Sequence, residues 1–383
     1  MMTRWSLLWL LAAPAVVLGL GCDEGSDADG DGDADGDVDA DGDVDTDGDV
    51  DADGDADSDE DADPEIDGDA DEGPSPSEVP RIHADDPHRL ERGGELFYPV
   101  GYYPAIGTLT SDRTDRETFS RQLIDALAES GINYFRNVFT MGQQHGDSTI
   151  PYQRTGPGEA ADGRPRYDLT RFDEAHFDYF RGVVSYARSR DVVIQVCILD
   201  FWHNNDWVSE PNADVEREWG LKHDFYTAGN NVNGVEVSTG EEWVDPSHPV
   251  NEYQRALIAR TIDALGDLPN VVWEVANEAT VFQGEPATAW QLELADFITE
   301  YEESVGVEPH LVIPRDIPNH EMTPGHRHDP VTQVHDELVA RFADGQPLIS
   351  DNDCCTTPPD LTYRRQKAWA CLTAGAHLDL FHF

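Results

Sequence analysis

The run Val271 to Glu278 (VVWEVANE) constrains this chain more than any other segment. Three Val, a Trp and an Ala within six residues make a near-continuous apolar run of strand length. Such a run reads as a strand buried on both faces, which is the habit of parallel sheets covered by helices. Its last two residues are an amide and a carboxylate side by side. In α/β enzymes the carboxyl ends of parallel strands carry the chemistry. Asn277 can hold a hydroxyl there, and Glu278 can give up a proton.

From Arg81 onward, short apolar runs alternate with amphipathic helical patterns, the signature of a parallel sheet with helical crossovers. Leu96 to Gly101 reads as a first strand. Thr114 and Glu117 have capping-box spacing ahead of a stripe of Phe119, Leu123, Ile124 and Leu127, ending at Gly131. Ile132 to Phe139 is a second strand. A helix carries Phe177, Phe180, Val183 and Val184, and Val192 to Leu199 is a third strand. A long loop rich in Trp, Asn and Gly runs from Asp200 to about His248. Tyr253, Leu257, Ile258, Ile262 and Leu265 mark the helix before Val271. Trp290 to Tyr301 is helical, and His310 to Pro314 is a fifth strand. Pro347 to Ser350 and His377 to Phe383 are the last two, separated by a helix over Leu361 to Ala374. The expected fold is therefore α/β, a (β/α)8 TIM barrel over residues 81–383. It is irregular around strand six, because only 32 residues separate Pro314 from Pro347. Met322 to His328 is the candidate for a vestigial sixth strand, and no final helix follows strand eight. About 250 residues suffice for such a barrel.

The front of the chain has a different character. Arg4 followed by an apolar stretch from Trp5 to Leu20 and then Gly21-Cys22 reads as a signal segment over residues 1–22. Cys after small residues resembles a bacterial lipoprotein site, with Cys22 the lipidated residue. An ordinary secretion signal and a short membrane anchor are the alternatives. Residues 23–80 hold 28 Asp and Glu and no Lys or Arg. Few apolar side chains and strong self-repulsion predict an extended, solvated linker. Its Asp-x-Asp-Gly-Asp theme over 23–72 resembles part of a calcium-binding loop but lacks the closing Glu, so loose Ca2+ binding is the expectation. The implied location is the cell envelope, secreted and lipid-anchored in a bacterial membrane. The formal net charge of −53 argues against nucleic acid as a partner. If Cys22 is lipidated, Cys197, Cys354, Cys355 and Cys371 remain, and three disulfide pairings stay open.

Strand two with Gly131, Asn133 and Arg136, strand four ending in Asn277-Glu278, and an acidic residue after Pro347 to Ser350 together resemble the TIM-barrel glycoside hydrolases of the cellulase and mannanase type (clan A-like). The resemblance covers residues 95–383, unevenly. It implies hydrolysis of O-glycosidic bonds in a poly- or oligosaccharide by a retaining, two-carboxylate route. Glu278 matches the family's acid/base, and a carboxyl in a pocket facing a second carboxylate has its pKa raised. Asn277 would hold the sugar's 2-hydroxyl. Arg136 would sit under the nucleophile, or else form an ion pair with Glu274 inside the barrel. The family places a Glu at the end of strand seven. Here Asp351 stands there, one methylene shorter, with Asp353 as the alternative. Retaining chemistry needs the two carboxyl groups about 5–5.5 Å apart, whereas an inverting enzyme leaves room for a water. A non-catalytic carbohydrate-binding surface lipoprotein is the competing reading.

Aromatic side chains stack on sugar rings, so Tyr102 and Tyr103 after strand one and Trp202, His203 and Trp207 after strand three are candidate substrate contacts. Loop packing is the alternative for each. His382, near the end of strand eight, is a further candidate. His320, Glu321, His326 and His328 match no metal-ligand spacing, and no metal or organic cofactor is expected. Cys354 and Cys355 lack the His-Asn context of a thiol nucleophile.

Overall fold

The computed structural model describes residues 77–102, 115–140, 150–201, 224–320, 331–350 and 361–378. In chain order the strands are β1 (Arg81–His83), β2 (Asp86–Arg92), β3 (Glu95–Phe97), β4 (Gly101–Tyr102), β5 (Tyr134–Val138), β6 (Tyr152–Glu159), β7 (Pro165–Phe172), β8 (Val193–Asp200), β9 (Val271–Asn277), β10 (Val312–Ile313), β11 (Asn319–His320), β12 (Ile349–Ser350) and β13 (His377–Leu378). The helices are α1 (Arg116–Glu129), α2 (Glu174–Ser189), α3 (Gly240–Trp243), α4 (Val250–Leu265), α5 (Ala279–Gln283), α6 (Glu285–Val305), α7 (Val331–Phe342) and α8 (Leu361–Thr373).

Eight of the described strands run parallel, in two sheets. One has the order β10-β9-β8-β5-β4, the other β11-β12-β13. Period-two alternation sorts their side chains. On the inner face Tyr134, Val193, Val272, Ile313 and Ile349 join one cluster, so strands of both sheets share it. On the outer face Phe135, Ile194, Val196, Val271, Trp273, Val275 and Val312 pack against the apolar faces of α1, α2, α4 and α6. Tyr98, just before β4, donates to the Ala376 carbonyl at 2.7 Å and meets the His377 ring edge-on, which brings β13 to the β4 edge.

Five helices, α1, α2, α4, α6 and α8, form where the sequence placed them, and α3, α5 and α7 were not anticipated. α1 buries Leu123, Ile124 and Leu127 and stops at Gly131, whose φ of +81° only glycine adopts cheaply. The Ile132 N–H returns to the Leu127 carbonyl and the Gly131 N–H to that of Ala128, closing a Schellman turn that aims the chain into β5. The expected capping box rests on Thr114. The helix begins at Arg116 behind Asp115, without a side-chain cap, and Thr114 lies outside the described residues.

Four expectations change. Leu96 to Gly101 is two strands, because Pro99 lacks the N–H that continuous pairing needs. Leu96 and Phe97 instead belong to an antiparallel sheet of order β1-β2-β3, with Leu96 55% exposed on its open face. The hairpin β6-β7, between β5 and α2, was not anticipated; Gly156-Pro157-Gly158 interrupts its alternation and hides it. The sixth parallel strand is Asn319–His320, ahead of Met322 to His328, which lies outside the described residues. The predicted irregularity sits where β10 passes to β11 through Pro314 to Pro318 with no helix, since that segment is too short for a crossover. Finally, Cys197 and Cys371 are buried and free, so no disulfide uses either of them; Cys354 and Cys355 lie outside the described residues.

His377 supplies a pH test of this packing. Burial holds its imidazole neutral and pushes its pKa down to about 4, with the Arg89 charge acting in the same direction and a backbone bond to His88 acting against it. The unfolded chain protonates the same ring near pH 6.5. The folded protein therefore loses stability as pH falls from about 6.5 to about 4, by ~3 kcal/mol, and nothing from this group above that window. Urea denaturation of wild type and His377→Leu at pH 7.0 and 4.5 checks it: the variant should lose less stability on acidification. Equal losses in both proteins would refute the assignment.

Candidate active site

β9 is the strand that matters most. Its residues are buried throughout, with neighbours β8 and β10 on either side. Extended backbone ends at Asn277. Glu278 then adopts φ +53°, ψ +16°, in the left-handed region, and α5 starts at the next residue. Only one other described non-glycine residue, Asp191, has positive φ. The conformation costs a residue with a Cβ about 1–2 kcal/mol and persists where surrounding packing imposes it. Its neighbours Asn277 and Ala279 are buried, so the backbone on both sides is held. Glu278 itself is half-buried. The αL turn also ends strand alternation, so the shared parity of Glu274 and Glu278 does not set where Glu278 points.

Beneath Glu278 runs a buried polar column. The Tyr134 hydroxyl donates to Gln195 Oε1 at 2.6 Å, and Gln195 Nε2 donates to Glu274 Oε2 at 2.7 Å. Arg136 grips Glu274 with two bonds, Nε to Oε2 at 2.8 Å and Nη2 to Oε1 at 2.6 Å. The same Nη2 donates to Asn277 Oδ1 at 2.9 Å. Asn277 Nδ2 donates to Asp200 Oδ1 at 3.1 Å. Arg136, Glu274, Gln195, Asn277 and Asp200 are each no more than 4% exposed. Bidentate pairing suits a guanidinium that must stay charged away from water. The ion pair with Glu274 anticipated as one reading of Arg136 is thus present, and the guanidinium orients Asn277 as well.

Cys197 faces the same column from β8. Burial first, and the Glu274 charge second, push its thiol well above the ordinary range. It is a packed thiol, not a nucleophile. Burial likewise raises the Cys371 thiol. Among the described residues no group of three or more His, Cys, Asp or Glu is arranged to hold a metal ion.

Of the other sequence-derived candidates, Tyr102 ends β4 and rests on the outer core with its ring 6.4 Å from that of Phe135. Asp351, Asp353, Tyr103, Trp202, His203, Trp207, His382 and Cys22 lie outside the described residues. Sequence reading passed over Asp200 and Gln195. Asp200 had a usable signal: it closes an apolar strand as Asn277 does, and the two are register partners. Gln195 had none beyond a polar residue within an apolar run.

The loops on this end of the strands also pack on each other. The hairpin β6-β7 follows β5, and the segment 224–239 follows β8. They meet through the Tyr152 and Tyr226 hydroxyls, 3.0 Å apart, and through the Tyr167 N–H to Asn230 carbonyl bond of 2.8 Å. A surface groove of about 320 Å³ runs between them, lined by Glu159, Arg166, Thr227 and Asn230. A larger one of about 480 Å³ lies among α2, α4 and the end of α6, around Phe177, Arg181, Arg260 and Val305, and does not include Glu278.

No family model matches the sequence, and no curated protein does. Solved structures do match in fold. A putative glycoside hydrolase from Bacteroides vulgatus aligns with 80% of this chain and 55% of its own, at TM-score 0.51 and 14% identity. A glycoside hydrolase family 5 mannosidase from Rhizomucor miehei aligns with 79% of this chain and 85% of its own, at TM-score 0.48 and 14% identity. A hyperthermostable endo-1,4-β-D-mannanase from Thermotoga petrophila aligns with 74% and 88%, at TM-score 0.49 and 11% identity. The chain spans about half the length of the first of these. At such identity the likeness is one of fold: this is an α/β chain with a parallel sheet, similar in fold to a glycoside hydrolase.

Proposed function

We propose that the eight parallel strands close into a (β/α)8 barrel and that the protein hydrolyses O-glycosidic bonds in a poly- or oligosaccharide. One observation carries the reading. A half-buried carboxylate, Glu278, is held in a strained backbone conformation at the carboxyl end of a central buried strand, beside an amide oriented from beneath. Strained backbone of this kind clusters at active sites and ligand clamps, where the surrounding structure imposes it.

In the proposed reaction Glu278 protonates the glycosidic oxygen as its bond to the anomeric carbon breaks. Asp351, or Asp353 in its place, attacks that carbon and forms a glycosyl-enzyme. Glu278, now ionised, takes a proton from water, and the hydroxide oxygen displaces the enzyme carboxylate. Asn277 holds the 2-hydroxyl. Tyr103, Trp202, His203, Trp207 and His382 form the sugar-binding surface, and Tyr102 packs on the outer core instead. No metal or organic cofactor enters these steps. In the same proposal Cys22 bears the lipid anchor, residues 23–80 are an acidic stalk with loose affinity for Ca2+, and residues 81–383 work at the cell envelope.

The test is incubation with β-linked glucans, mannans and xylans, counting new reducing ends. Turnover of one class with the first-formed anomer retained is the expected result. Inversion would replace the nucleophile with a water between the carboxylates. Glycan binding without any new reducing end would leave a carbohydrate-binding surface protein and end the hydrolase reading.

A further inference from the structure

Asp200 has no place in the reaction as written above, yet it is one of the most deeply buried carboxyl groups on the catalytic end of the sheet. We propose that Asp200 is a positioning residue that locks the side-chain amide of Asn277 in one orientation; this rests on the hydrolase reading of Glu278 and Asn277.

A guanidinium only donates hydrogen bonds, and a carboxylate only accepts them. Arg136 Nη2 reaches one end of the Asn277 amide at 2.9 Å, and Asp200 Oδ1 reaches the other at 3.1 Å. Both contacts demand the same assignment, oxygen toward Arg136 and nitrogen toward Asp200. A flipped amide would set donor against donor and oxygen against oxygen at the two ends at once. The orientation of an amide is usually inferred from its network, and here two independent charges agree on it. The backbones are tied as well: the Phe201 N–H donates to the Asn277 carbonyl at 3.1 Å, so β8 and β9 stay in register up to their last residues.

Consequences follow for the ligand. Of the two Asn277 Nδ2 hydrogens, one is committed to Asp200, and among the described residues the other has no partner. A donor of fixed direction beside Glu278 suits a sugar hydroxyl that must be held while the neighbouring bond breaks. Arg136 alone would still attract Oδ1, but nothing would then hold the nitrogen end. Asp200 thus acts through Asn277 and touches neither the substrate nor the reacting atoms.

A double-mutant cycle on the full-length protein, with the glycan it cleaves, tests this. Asp200→Ala should lower kcat/KM about 10- to 100-fold, the effect of one buried hydrogen bond to a charged group. Asp200→Asn keeps an oxygen that accepts from Asn277 and should recover most of the loss. In an Asn277→Ala background, Asp200→Ala should cost less than about twofold, since its route of action is gone. Thermal melts run alongside, and if the alanine variant does not fold, Asp200→Ser and Asp200→Asn complete the cycle. Losses that multiply in the double variant, or an Asp200→Asn enzyme as poor as Asp200→Ala, overturn the role of Asp200 while leaving the hydrolase intact. Absence of turnover in wild type removes the hydrolase reading first, and this role with it.

Discussion

Glu278→Gln should abolish glycan hydrolysis while leaving the fold untouched. Loss of a positioned general acid costs about 10²–10⁴-fold in rate. The amide has the same shape as the carboxyl, and the half-buried position tolerates it, so the melting temperature should stay within a few degrees of wild type. Glu278→Gly sharpens the test. It removes the same carboxyl and also releases the φ of +53°. Relief of about 1–2 kcal/mol against the entropy of a new glycine predicts a protein no less stable than wild type and equally inactive. A residue whose removal costs activity and spares stability is kept for function. If Glu278→Gln turns over substrate at the wild-type rate, Glu278 is not the acid, and the site as described is wrong.

Arg136→Leu should cause the largest loss of stability of any single change on the inner face of the sheet. It strips Glu274 of both guanidinium bonds, and the two side chains are each only 1% exposed. An uncompensated buried charge costs about 3–5 kcal/mol. For a domain of this size that lowers the melting temperature by on the order of 10 °C. The double variant Arg136→Leu, Glu274→Leu should regain most of that stability, because two apolar groups of similar volume replace a desolvated pair. It should not regain hydrolysis, because Asn277 Oδ1 would still lack its donor. The contrast separates two roles of one side chain, bracing the interior and orienting the amide. A single variant that melts within about 2 °C of wild type would mean that Glu274 is satisfied without Arg136.

Much of the architecture was legible in the chain because burial writes itself into local pattern. Val271 to Ala276 reads as a strand covered on both faces, and its β-branched and aromatic side chains occupy those faces. The stripe from Phe119 to Leu127 and the Gly131 stop announce α1. Elements carried by fewer residues were misread. β11 is two residues long and is a strand only because β12 pairs with it, whereas the equally short β12 lies within the run Pro347 to Ser350 that the sequence did show. β3 and β4 blur into one run because only three residues, with Pro99 in the middle, separate them. The hairpin β6-β7 is held by contacts with residues more than fifty positions later, such as Tyr226 and Asn230, which no local window sees.

The same division runs through the site. The chain by itself determined that a parallel α/β fold would bury Val271 to Ala276 and deliver Asn277 and Glu278 to the carboxyl end of a strand, since the apolar run and its polar ending are adjacent in sequence. Only the tertiary structure decided that Glu278 takes a left-handed backbone, that Arg136 spends its charge on Glu274, and that Asp200 faces Asn277 across neighbouring strands. Those partners lie 138 and 77 positions apart for Arg136–Glu274 and Asp200–Asn277. Polar groups so distant find each other only after the apolar strands have set the register, and a low-dielectric interior then makes each buried contact costly to lose.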